Sequence, residues 1–263
     1  MGWLPDRDEQ EWTLDCLRLL ARRLGSGVLG RGSLEPTGVV DALRLGTRED
    51  VRHAAERVLT FIGAGGKQVE VVIDEVPPKG HAGYARVVFA APDEVTVGVR
   101  PVAVTDPGRR AADLVRALVR NHRVECGLAG GDWQREGRLT DLTGVWLGLG
   151  VLLANGADPS LFARDDDIPA AGSRLFTQAI CFALAARVIA SESGCFATWR
   201  LGRTLERVPR RSFLEALGQL RRPRGAVAQR LRLPGHERFG APRRIPLHPE
   251  GPAGAPVPAD EPD

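Results

Sequence analysis

The chain has 263 residues, 43% hydrophobic and 26% charged, with a formal net charge of +3. That composition suits one large globular domain or two small ones, and it rules out dependence on a disulfide scaffold, because the core is large enough without one. The four cysteines, Cys16, Cys126, Cys181 and Cys195, form no C-x-x-C pair. Three lie in helical, apolar stretches, so reduced and buried thiols are expected. Trp3–Glu11 is acidic and has no apolar signal-peptide core, which predicts a cytoplasmic protein. The most apolar runs, Leu142–Leu153 and Leu175–Ala190, fall short of the roughly 18–20 residues that a spanning helix needs. They read as core helices, with no membrane contact. Lys67 and Lys79 are the only lysines, a bias toward arginine that fits a GC-rich coding sequence.

The first element is a helix over Glu9–Leu24, capped by Asp8 and stopped by Gly25, with Trp12, Cys16, Leu19 and Leu20 on one face. A Gly-rich connector and a short helix at Val39–Leu45 follow. Thr47-Arg48-Glu49-Asp50 is a capping-box pattern opening a helix to Ile62, with Val51, Ala54, Ala55, Val58 and Ile62 as its apolar stripe. Three alternating segments, Gln68–Glu75, Tyr84–Ala90 and Glu94–Val99, read as strands. The turns between them, Pro77–Gly80 and Ala91–Asp93, are short enough to predict an antiparallel meander. Thr105 or Asp106 then caps a long helix, with Pro107 at its first position, running to about Cys126. A polar loop, Gly127–Gly137, leads to a helix from Thr140 to Ala154, in which Gly144 and Gly148 invite close approach of another backbone. An acidic loop at Asp165–Asp167, a buried helix from Arg174 to Ala190 and an amphipathic helix from Pro209 to Leu220 complete the order. The domain plan is therefore a helix and linker over 1–36, an α+β domain over 37–220, and a disordered Arg- and Pro-rich tail over 221–263.

Helix, three strands, long helix, loop, helix is the core order of zincin-like metallopeptidases, whose long helix carries H-E-x-x-H. The two histidines lie four apart, and the glutamate acts as general base. On a helical wheel, Ala111, Leu114, Val115, Leu118, His122 and Glu125 share one arc of about 100°, while Arg116, Arg120 and Arg123 lie opposite and are expected in solvent. The inward pair nearest the loop is Leu118 and His122. In place of H-E-x-x-H the chain reads Leu118-Val119-Arg120-Asn121-His122, without the first ligand or the glutamate.

Leu139-Thr140-Asp141-Leu142-Thr143-Gly144-Val145-Trp146-Leu147-Gly148-Leu149-Gly150 resembles a signature of a family of uncharacterised bacterial zincin-like metallopeptidases. In that family an H-E-L-A-H helix precedes a helix reading L-T-D-L-L-T-V-F-L-G-L-G. Asp106-Pro107 and Leu114-Val115 are similar to the lead-in of the H-E-L-A-H helix, and Phe182-Ala183-Leu184-Ala185 resembles a later helix of the family. The resemblance spans residues 97–220. It implies ancestry from a metallopeptidase, a zincin-like core and a degenerate site in which Asp141 keeps its place. The expected function is that of a pseudoenzyme: a binding or scaffold protein for an unknown protein partner, with no catalytic residues and no cofactor.

Two alternatives belong to other classes. His122-Arg123-Val124-Glu125-Cys126 is an H-x-x-E-C string close to the inverted zincin motif, so His122, Glu125 and Cys126, completed by Asp141 or Glu136, form a candidate zinc site of a metal-dependent hydrolase. The competing account makes His122 and Glu125 a hydrogen-bonded pair left where ligands used to be. The tail arginines Arg221, Arg222, Arg224, Arg230 and Arg232, with others beyond them, are a candidate nucleic-acid contact through phosphate neutralisation.

Overall fold

The computed structural model describes residues 3–73, 83–100, 106–129, 133–157, 175–191 and 193–221. All of these fall within one compact unit, Met1–Leu233. The predicted acidic loop at Asp165–Asp167 and the tail beyond Arg221 lie outside the described residues.

Helix α1 (Arg7–Leu24) is capped by Asp6 rather than Asp8, the Asp6 carboxylate accepting from the Glu9 N–H at 2.8 Å. Its inward residues Leu14, Leu17 and Leu20 are buried. A single 3₁₀ turn at Gly27–Arg31 leads to α2 (Thr37–Leu45). Helix α3 (Arg48–Ile62) opens on the capping box read from its sequence, with Thr47 and Asp50 exchanging side-chain-to-backbone bonds. Its buried residues include the predicted stripe. Gly63 ends it at φ 87°, a left-handed C-cap that glycine adopts without steric cost.

Strands β1 (Gln68–Ile73), β2 (Ala85–Ala90) and β3 (Glu94–Val99) form one sheet in the order β1-β3-β2. The strands do not form the expected antiparallel meander. β2 and β3 form the expected antiparallel hairpin, but β1 pairs parallel to β3, and the sheet is mixed. A three-residue turn forces β3 to fold back on β2. The connection from β1 to β2 is long enough to pass the end of β3, so β3 takes the centre. Its composition agrees: every residue from Val95 to Val99 is buried, as a central strand requires, whereas β2 is exposed over Val88–Ala90 and serves as an edge.

Helix α4 (Pro107–Glu125) is capped by Asp106, whose carboxylate accepts from the Arg109 N–H at 2.7 Å. It packs against α2, α3, α5, α6 and β2. The predicted helix over Thr140–Ala154 is instead two: α5 (Trp133–Trp146), which begins inside the predicted loop, and α6 (Gly150–Asn155). The break falls at Gly148, with φ 95°. A Cβ there would sit 2.6 Å from the Gly32 carbonyl oxygen, so the close backbone approach expected of this glycine occurs at a turn and not along a helix.

Helix α7 (Thr177–Ala190) is buried on nearly all sides, among α1, α5, α6 and α9 (Arg207–Arg221). An all-round apolar helix can only be a core helix or a membrane span, and no described helix is long and apolar enough to cross a membrane. Helix α8 (Cys195–Thr204) was not legible, because its exposed Phe196 and Trp199 break the expected apolar stripe. Of the four thiols Cys181 alone is fully buried; Cys16 is half-buried, and Cys126 and Cys195 are exposed.

Candidate functional site

The packing of α4 on α5 brings the chemically distinctive residues of the chain together. An isolated amphipathic helix has one wet face, and Arg116, Arg120 and Arg123 were expected on it. Only Arg120 is exposed. α5 covers the face carrying Arg116 and Arg123, and carboxylates there offset the cost of enclosing the two guanidinium groups.

Arg123 is 2% exposed. Its Nε and Nη2 donate to the two oxygens of Glu136 at 2.9 and 3.2 Å, its Nη1 donates to the Thr143 hydroxyl at 2.7 Å, and Nη2 also reaches the Leu128 carbonyl at 2.8 Å. This is a two-pronged pair of the kind only arginine makes, with further donors satisfied by neutral oxygens. One turn of α5 further on, Arg116 Nε donates to Asp141 Oδ1 at 2.7 Å and Nη1 to Asp113 Oδ1 at 3.3 Å. Burial disfavours the Arg116 charge, but Asp141 and Asp113 outweigh it and hold its pKa above the ordinary value. The second oxygen of Asp141 accepts from the Leu175 N–H at 3.0 Å, and that of Asp113 from the Tyr84 N–H at 2.8 Å. The layer thus ties α4 to α5, to the lead-in of α7 and to the start of β2.

On the inward face of α4 the two residues before Arg120 carry only hydrocarbon side chains. Leu118 and Val119 are both fully buried. At the C-terminal end of α4, His122 is half-buried and its Nε2 lies 3.6 Å from Cys126 Sγ, while its Nδ1 is buried without a hydrogen-bond partner among the described residues. Burial pulls the His122 pKa below 6.5; partial desolvation of the sulfur, with the Glu125 carboxylate beside it, raises that of the Cys126 thiol though the residue is exposed as a whole, so at neutral pH both groups are uncharged. Glu125 does not pair with His122, contrary to one expectation. Its Oε1 accepts from Lys67 Nζ and Asn121 Nδ2, each at 2.7 Å. Lys67 also donates to the Ala91 carbonyl at 2.9 Å, which clamps the end of α4 to the start of β1 and to the β2–β3 turn.

Of the alternative zinc set, the fold places His122, Glu125 and Cys126 on one turn, but Glu125 is drawn to Lys67, and Asp141 is enclosed with Arg116. Glu136 is spent on Arg123. Among the described residues no three His, Cys, Asp or Glu side chains are grouped to hold a metal. As placed here, His122, Glu125, Cys126, Asp141 and Glu136 do not converge on a shared point. Arg221 is exposed at the end of α9, and Arg222, Arg224, Arg230 and Arg232 lie outside the described residues.

A third buried arginine stands apart. Arg187 of α7 is 2% exposed and donates to the carbonyls of Trp146, from Nε at 3.0 Å, and Gly32, from Nη2 at 2.5 Å. Its signal in the sequence was an arginine inside an otherwise apolar run, a placement that seldom occurs without a reason. Comparison of the chain with protein-family models, with curated proteins and with solved structures returns no match.

Proposed function

We propose that the chain is a non-catalytic relative of the zincin-like metallopeptidases, serving as a binding or scaffold protein. The observation that carries this reading is the replacement of reactive groups between α4 and α5. Where such a peptidase would present histidine and glutamate, α4 presents Leu118 and Val119, both sealed in the core. A hydrocarbon side chain neither ligates a metal nor takes a proton from bound water. The acids that α5 turns toward α4, Glu136 and Asp141, are neutralised by Arg123 and Arg116, so guanidinium groups supply the positive charge that a cation would supply in a catalytic site. Such a layer favours a rigid scaffold, because a buried network with every member satisfied holds its helices in one arrangement. The order of a helix, a three-stranded sheet and a long helix with the T-D-L-containing helix packed on it supports the ancestry.

Elemental analysis of the purified full chain, combined with a peptide-hydrolysis assay with and without a chelator, tests the reading. Zinc well below one per chain and no chelator-sensitive hydrolysis are expected. One zinc per chain that disappears on His122→Ala would instead establish the metal-dependent alternative at His122, Glu125, Cys126 and Asp141.

A further inference from the structure

A cavity of about 310 Å³ opens between the Gly32–Pro36 segment, α6, α7 and α8. That is the small end of the range for ligand cavities, roughly 300–1,000 Å³. Arg187 lines it, 2% exposed. Unlike Arg116 and Arg123, Arg187 meets no carboxylate among the described residues: its two hydrogen bonds go to the carbonyls of Trp146 and Gly32. Removal from water pulls its pKa to about 10, and it remains a cation at neutral pH. A buried charge without a counter-charge costs several kcal/mol and is retained where something repays it.

The bonds to the two carbonyls use Nε and one hydrogen of Nη2. Among the described residues nothing accepts from Nη1 or from the second hydrogen of Nη2, and an Nη1–Nη2 pair is the end-on fork that matches a carboxylate. The charge balance of the lining points the same way. Glu35 and Arg200, the other charged residues described there, pair with each other at 2.8 Å, leaving Arg187 as a net single positive charge. A buried Ser33 hydroxyl on the same wall has no hydrogen-bond partner among the described residues. The rest of the wall is largely apolar, with Val151 and Leu201 inside and the exposed ring of Phe196 beside the opening.

We propose that this cavity binds a small organic monocarboxylate, its carboxylate on the Arg187 fork and its apolar body against Val151, Leu201 and Phe196. A monoanion neutralises the site, whereas a dianionic phosphate leaves a negative charge unpaired in a low-dielectric setting. The inference goes beyond the proposed pseudoenzyme role and does not depend on it, since none of these residues belongs to the α4–α5 layer.

The test uses the full chain with 3-phenylpropionate, its neutral amide and phenyl phosphate as probes, read by thermal shift and calorimetry. The carboxylate is expected to raise the melting temperature in a concentration-dependent way and to bind at least about tenfold more tightly than the amide, the worth of a charge-assisted contact. Arg187→Gln is expected to erase that preference. Because Arg187 also anchors two backbone segments, a second variant avoids it: Ala197→Trp fills the cavity mouth from an exposed position. It should keep the ligand-free melting temperature and lose the shift. Equal response to acid and amide, tighter binding of phenyl phosphate, no response at millimolar carboxylate, or a shift that survives Ala197→Trp would each overturn the proposal.

Discussion

Protonating His122 costs the folded chain more than the unfolded one. Burial holds its pKa below 6.5; the Glu125 carboxylate opposes that displacement, and Lys67 and Arg31 reinforce it. The neighbouring Cys126 thiol stays neutral. Between 6.5 and the lower folded value, the unfolded state therefore binds more protons than the native state, and stability falls as the pH is lowered. The contribution is fully present above 6.5 and lost as pH passes down through the folded value. Urea unfolding at about pH 7.5 and about pH 5 should show a larger loss for the natural chain than for His122→Gln, whose side chain does not titrate. An equal loss in both would mean that other groups dominate the acid response. Two arginines of α4, Arg116 and Arg123, lie in the packed interior and not in solvent, whereas Arg120 is exposed as expected. A helical wheel assigns Arg116 and Arg123 to solvent because it knows only the helix they belong to, and the acids that permit their burial sit 25 and 13 residues away in sequence.

At the scale of elements, the turn between α5 and α6 carries the sharpest steric constraint. Gly148 combines φ 95° with the Gly32 carbonyl oxygen 2.6 Å from the position a Cβ would take, and the Leu34 N–H bonds to the Gly148 carbonyl at 3.0 Å. Gly148→Ala must then bear both a left-handed backbone, about 1–2 kcal/mol, and a backbone displacement, for a loss of roughly 2–4 kcal/mol. Gly127→Ala is the control. Gly127 is also left-handed, at φ 64°, but has nothing within 4 Å of its Cβ position, so only the first cost applies, about 1–2 kcal/mol. Denaturant midpoints of the two variants decide the matter; equal losses would show that the approach of Gly32 is relieved without cost. The glycine itself was conspicuous in sequence, since a glycine inside a helix is expensive. What it did there was not: a helix with a costly residue and two helices with a turn have the same local pattern.

For the molecule as a whole, α1 is part of the common core. It packs on α5 and α7, and Leu14, Leu17 and Leu20 are each 6% exposed or less. Burying three leucines is worth roughly 5–9 kcal/mol, comparable with the whole stability of an ordinary domain, about 5–15 kcal/mol. Removing residues 1–25 should accordingly abolish the cooperative thermal transition, followed by circular dichroism. A truncated chain that melts like the full one would show α1 to be an appendage. Sequence alone determined what depends on neighbours a few residues apart: the capping box at Thr47–Asp50, the Asp106–Pro107 helix start, the β2–β3 hairpin, the buried nature of α7, and the absence of an H-E-x-x-H string from α4. These follow from side-chain period, caps and turn chemistry, which act locally. Tertiary structure alone decided that β1 lies parallel beside β3, that Arg116 and Arg123 are enclosed with acids from α5, and that Arg187 borders a cavity with no counter-charge among the described residues. Each of those depends on which segments meet in space, and the energy that selects the meeting, burial of apolar surface with its polar groups satisfied, belongs to the packed whole and to no single stretch of the chain.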